Sequence, residues 1–212
     1  MTGIVLRNLV RSQRTVGVIV LTIVVMAIVL SNRPQAPGSA LAATALLMLP
    51  VHAWGSLAAA AGTDASTRDA FVAAFGVRRV MVGHLMAATV VGAVSDLVVV
   101  GIAVATHVMS PPPSPDRWVA GAMVAGASLA LGIAIGAAAG PPVVTSRGTR
   151  VVLLVGLVAV APLLLPLVRM ARLLDEARSS MVIAEIAGPA ALTAGAAAVL
   201  LIGAVLVAQR RL

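Results

Sequence analysis

Six apolar stretches, each close to the length of a membrane crossing, take up most of the chain, and the ionised side chains collect in the short gaps between them. A helix rises about 1.5 Å per residue and the hydrocarbon layer of a bilayer is about 30 Å thick, so roughly 20 apolar residues make one crossing. The stretches run over 15–31, 39–61, 80–109, 118–139, 151–168 and 186–208. In lipid each backbone N–H and C=O has to be paired inside its own segment, which leaves helices or a closed barrel. A barrel needs alternating apolar and polar residues, and these stretches are apolar on every face. The expectation is an all-α polytopic membrane protein: six transmembrane helices in a single transmembrane domain over 1–212, with no gap wide enough for a soluble domain.

Composition narrows the chemistry. Hydrophobic residues make up 60% and charged residues only 10%, more apolar surface than a water-soluble domain of 212 residues could hide. Cysteine is absent, which removes disulfides, thiolate metal sites and a thiol nucleophile together. Lysine is absent as well, and with it the phosphate-cradling loop that ends in Lys-Ser or Lys-Thr. No His-Glu-x-x-His zinc helix and no Gly-x-Ser-x-Gly elbow is present, and three scattered histidines make a poor metal site. The chain is therefore expected to have no catalytic residues, no metal and no cofactor of its own.

Arginine supplies all 15 basic residues and sets the expected orientation, because positively charged loops stay cytoplasmic. With the N-terminus inside, the inner side holds Arg7, Arg11, Arg14, Arg68, Arg78, Arg79, Arg147, Arg150, Arg210 and Arg211, and the outer side Arg33, Arg117, Arg169, Arg172 and Arg178. That asymmetry places both termini in the cytoplasm. The net charge of +8 then reads as topology and lipid-headgroup contact, with no basic domain to bind nucleic acid. Arg7, Arg11 and Arg14 fall on one helical face with Val5, Leu6, Leu9 and Val10 largely opposite, the pattern of a helix lying on the inner membrane surface; a plain topogenic tail is the alternative. The first apolar run is longer than that of a signal peptide.

The gap 62–79 carries the most information. Ser66-Thr67-Arg68-Asp69 fits a capping box, and Gly76 is a stop signal, so a short helix is expected between them. Phe71 and Phe75 stand four residues apart on that helix and are the only phenylalanines in the chain. Burying one such ring is worth about 1.5–3 kcal/mol, so two rings in a cytoplasmic gap call for something to cover them. A groove on a soluble subunit, with Arg68, Arg78 and Arg79 meeting acidic groups at its rim, is one cover; the headgroup region or the protein's own helices are the other.

Other features lie within the spans. Asp96 sits near the centre of the third, where an ionised carboxylate costs about 2.5–3.5 kcal/mol on insertion scales and so faces a partner, water or a proton. His107 follows on nearly the same face about three turns away, and His52, between Pro50 and Trp54, is a further imidazole in the second span. Asp96, His52 and His107 are candidates for a polar substrate or proton pathway, or else satisfied structural groups. Ser128, Gly132, Gly136 and Gly140 recur every four residues in the fourth span, a stripe that lets a helix from this bundle or a sister subunit approach closely. Pro162 and Pro166 should kink the fifth span near its outer end, and Gly188-Pro189 should break the start of the sixth.

This organisation resembles the permease subunits of ABC transporters of the ABC-2 exporter type. Members have about six transmembrane helices with both ends inside, a surface helix before the first and a cytoplasmic coupling helix between the second and third. The stretch from Phe71 to Leu85 is similar to the family's apolar helix, Pro-Val-Ser-Arg-like turn and Gly-Lys-Leu entry to the third span, with Gly76 in place of the usual proline and His84 in place of the usual lysine. The resemblance implies a coupling segment of Arg68, Asp69, Phe71, Val72, Phe75, Arg78 and Arg79. It also implies two copies of a separate ABC ATPase carrying ATP and Mg, a second copy of this permease or a homologous one, and export through the plasma membrane. In such permeases the connection between the fifth and sixth spans, here 169–185, forms short re-entrant helices; a simple amphipathic loop is the alternative. An ion- or proton-coupled carrier using Asp96, a lipid-acting enzyme using Asp96, Glu185 and the histidines, and a scaffold or assembly protein without transport activity are the competing functions. An apolar pathway of Ala, Val and Leu would suit lipids, hydrophobic drugs or peptides.

Overall fold

The computed structural model describes residues 3–5, 7, 14–31, 35–62, 65–141, 143–176 and 182–211. Eight helices carry labels here: α1 (Arg14–Ser31), α2 (Pro37–Ala61), α3 (Ala65–Phe75), α4 (Val77–Ala105), α5 (Pro115–Ala139), α6 (Arg147–Leu164), α7 (Leu167–Glu176) and α8 (Val182–Arg211). Among the described residues there is no strand, only an isolated bridge between Gln35 and Met109. Helices α2, α4, α5, α6 and α8 are long and apolar enough to cross a membrane, and α1 is apolar but shorter. The chain is an all-α, multi-pass membrane protein.

Helix starts fall earlier than hydropathy placed them, for a local reason. Pro37 and Pro115 occupy the first helical turn of α2 and α5, where proline's missing N–H costs nothing and its fixed φ suits the helix. Helix α8 begins at Val182 and runs unbroken through Pro189, which corrects the expected break at Gly188-Pro189. Proline there removes one bond, to the carbonyl of Glu185, close to the helix start where few bonds depend on it. Pro166 does end a helix. It holds the preceding Leu165 extended, at φ −103° and ψ 156°, so the fifth apolar segment stops at Leu164 rather than Val168.

Two helices form the centre. In α2, 72% of the apolar window is buried, and in α5 61%, against 28% of α4, 17% of α8 and 6% of α6. The α2–α5 seam is the most extensive in the bundle; α8 packs on α5, while α1 and α4 pack on α2. The stripe on α5 makes that seam. A Cβ on Gly132 would lie 2.5 Å from the Cβ of His52, and one on Gly136 2.6 Å from the Cβ of Ser56, so α2 approaches α5 at backbone distance. Ser128 Oγ donates to the carbonyl of Ala45 at 2.6 Å, and Ser56 Oγ to that of Ile133 at 2.9 Å, so hydroxyls from both helices tie the seam. Gly140 continues the line against Ala60.

Helix α7 covers one end of the bundle. Leu167, Met170, Ala171 and Leu174 form its buried face against α2, α5, α6 and α8, while Arg169, Arg172, Asp175 and Glu176 are exposed. Ser39 Oγ, in the first turn of α2, donates to Asp175. One amphipathic helix therefore stands in the first part of 169–185; residues 177–181, including Arg178, lie outside the described residues. The N-terminal segment is helical at residues 3–5 and 7, with Val5 buried and Arg7 exposed; Leu6, Leu9, Val10 and Arg11 lie outside the described residues.

Candidate functional site

Two sites stand out, one at the start of α4 and one along its length. The first is the junction between α3 and α4. Helix α3 runs from Ala65 to Phe75, about three turns, so Ser66 lies within its first turn rather than ahead of it. Gly76 then takes φ 78° and ψ 151°, a region open to glycine almost alone, and α4 begins at the next residue. A side chain at 76 would meet no neighbour, so the dihedral angles, not crowding, call for glycine.

Phe71 and Phe75 do share a face: their ring centroids are 6.3 Å apart and tilted by 55°, within the range of a favourable aromatic pair. Phe75 is 45% exposed, Phe71 and Val72 are partly buried, and Arg78 and Arg79 are exposed. Among the described residues α3 packs against α4 and no other helix, so the rings are not folded beneath the bundle. Arg68 Nε lies 3.8 Å from Asp69 Oδ1, with Asp69 63% exposed, a surface contact of little energy. His84, two turns into α4, is buried, and its Nε2 has no hydrogen-bond partner among the described residues.

The second site is inside the bundle. Asp96, on α4, meets His52, on α2, with Oδ1 3.0 Å from Nε2. The His52 side chain is fully buried and that of Asp96 is 17% exposed. Room for the imidazole is made by glycines: a Cβ on Gly92 would lie 3.1 Å from His52 Cδ2, and Gly132 flanks the Cβ of the same residue. The pairing of His52 with Asp96 is invisible in the sequence, since it depends on how α2 and α4 lie together. Gly92, one turn before Asp96, is the residue whose smallness could have signalled it.

His107 belongs to neither site. Helix α4 ends at Ala105, and His107, at φ 53°, is exposed just beyond it. Its N–H donates to Val104 at 3.0 Å and the N–H of Val108 to Ala103 at 3.0 Å, the two bonds of a Schellman motif with histidine where glycine is usual. His107 therefore does not share a helical face with Asp96, as the uninterrupted third span over 80–109 implied, because the helix turns off before reaching it. Among the described residues no three His, Asp or Glu side chains come together to hold a metal.

The other ring nitrogen of His52, Nδ1, is buried without a hydrogen-bond partner among the described residues. No protein-family model, curated protein or solved structure matches the chain.

Proposed function

We propose that the chain is the membrane subunit of an ATP-driven exporter of the ABC type, in the plasma membrane with both termini cytoplasmic, paired with a second permease copy or homologue and two copies of a separate ATPase. The observation that carries this reading is the α3–α4 junction. A short helix bearing both phenylalanines of the chain rests on a single neighbouring helix among the described residues and joins that helix through one glycine. A subunit that closed over Phe71 and Phe75 would bury apolar surface worth about 1.5–3 kcal/mol per ring. It would also displace α4 directly, because no flexible linker separates the two helices. Arg68, Asp69, Val72, Arg78 and Arg79 would frame that contact. The cargo would be hydrophobic or amphipathic.

The test is recovery of the tagged chain from its native membranes. An ATPase bearing a phosphate-cradling loop should co-purify in an ATP-independent complex, and the double variant Phe71→Ala with Phe75→Ala should lose it while keeping its thermal stability. Undiminished recovery with the double variant defeats the coupling assignment. A carrier driven by ions or protons is the second reading, favoured by the carboxylate–imidazole pair of Asp96 and His52. Transport that persists in vesicles containing this chain and no ATPase would select it.

A further inference from the structure

The cavity beside Asp96 has a composition that selects a ligand class. It holds about 380 Å³ between α2, α4 and α5. Its lining is apolar apart from Thr44 and Asp96, with Trp118 presenting the one aromatic ring. Thr44 is already committed, its Oγ1 donating to the carbonyl of Ala40 at 2.8 Å. Asp96 is therefore the one ionisable group facing the space. Leu97, 72% exposed, lines the cavity at the outer surface of α4.

Among the described residues no arginine pairs with the Asp96 carboxylate. His52 meets one carboxylate oxygen through Nε2 at 3.0 Å and is the one side chain that pairs with Asp96 among the described residues. An ionised carboxylate in a low-dielectric wall attracts a cation strongly because little water screens it. Trp118 also lines the cavity, and the face of an indole ring attracts weakly hydrated ammonium groups. The remaining walls of Ala, Leu and Val reward an apolar body rather than a bare metal ion. We infer that this cavity binds amphipathic organic cations, an amine or quaternary ammonium on an apolar body, with Asp96 as the counterion, Trp118 as a partner for the charge and the α2–α4–α5 gap as the entry from the bilayer. The inference deepens the transport reading and rests on it only for calling the ligand a substrate.

Binding is measured on the purified full-length chain in phosphatidylglycerol nanodiscs, without ATPase or nucleotide, so that its outcome is independent of the α3 junction. Radiolabelled benzyltrimethylammonium is the probe, and neopentylbenzene, its uncharged carbon isostere, the competitor. Saturable binding of the cation is expected, with the hydrocarbon competing at least about tenfold less well. Asp96→Asn, which keeps a hydrogen-bonding partner for His52, should weaken binding by at least about tenfold. Gly126→Leu should also abolish it, since Gly126 lines the cavity and a Cβ there meets no atom within 4 Å, so the added side chain can fill the space without a backbone clash at its root. Absence of saturable binding, equal competition by the hydrocarbon, or full binding in either variant would each overturn the assignment. Cation binding in a chain that recruits no ATPase would leave the site intact and remove only the ABC reading.

Discussion

At the scale of single residues, the seam between α2 and α5 is the least forgiving place in the molecule. A Cβ on Gly136 would meet the carbonyl oxygen of Ala53, the Cβ of Ser56 at 2.6 Å and the backbone nitrogen of Leu57 at 2.9 Å, two of them main-chain atoms that cannot swing aside. Gly136→Leu is expected to cost about 1–3 kcal/mol or more, as overpacking does elsewhere, and to lower the midpoint of thermal unfolding in detergent. Gly156→Ala, on the open flank of α6 where a Cβ meets nothing, should leave the midpoint unchanged or raise it, by up to about 1 kcal/mol of helix propensity. Equal effects of the two substitutions would mean that the seam is not where the bundle is held. The stripe itself was legible in the sequence because a four-residue period survives any arrangement of neighbours. Which helix it met was not legible, since α2 offers no matching stripe of glycines and receives α5 through His52, Ala53 and Ser56 instead.

At the scale of elements, punctuation residues were read with mixed success, and the physical reason is position. Gly76 and Pro166 both end helices, as a glycine-only dihedral and a proline-constrained neighbour require. Pro189 and His107 misled: a proline seven residues after a helix start removes one bond and is absorbed, and a histidine can adopt the left-handed angle that glycine usually supplies. The junction of α3 and α4 yields a prediction of its own. Gly76→Ala forces a Cβ into a region costing about 1–3 kcal/mol, so α3 should reorient on α4. Limited trypsin digestion of the purified protein should then cut faster after the exposed Arg78 and Arg79, while the thermal midpoint of the bundle stays put because, among the described residues, α3 contacts no helix but α4. An unchanged cleavage rate would mean that the angle at 76 does not set the pose of α3.

At the scale of the whole molecule, the arrangement of ends can be tested without preparing a background. The chain contains no cysteine, so a single introduced thiol is the only target for a maleimide. Ala73, Ser110 and Thr145 are all exposed and lie in different connections. With six crossings and both termini inside, a membrane-impermeant maleimide applied to intact cells should label Ser110→Cys, and label Ala73→Cys and Thr145→Cys only after lysis. Labelling of Ala73→Cys and Ser110→Cys from the same side would dismantle the topology and the coupling segment with it. That the chain crosses a membrane as helices was plain from hydropathy alone, because length and apolarity are properties of each segment by itself. The meeting of His52 with Asp96 is a property of two segments together, and it was out of reach until α2 and α4 were placed.

The flank formed by α6 has a further effect on its surroundings. From Val151 to Leu164 this helix offers 14 residues beyond its basic first turn, about 21 Å of rise against roughly 30 Å of hydrocarbon, and only Leu154 of the helix is buried. Most of its surface is left uncovered by the rest of the described chain, and where acyl chains meet that surface the bilayer takes up the shortfall. Acyl chains beside α6 have to compress or shorten, and the exposed Arg147 can reach outward to the phosphates, while Arg150 is tied back to the carbonyls of Val144 and Thr145. A dimple in the membrane follows the protein on that side, and short-chain lipids will gather there.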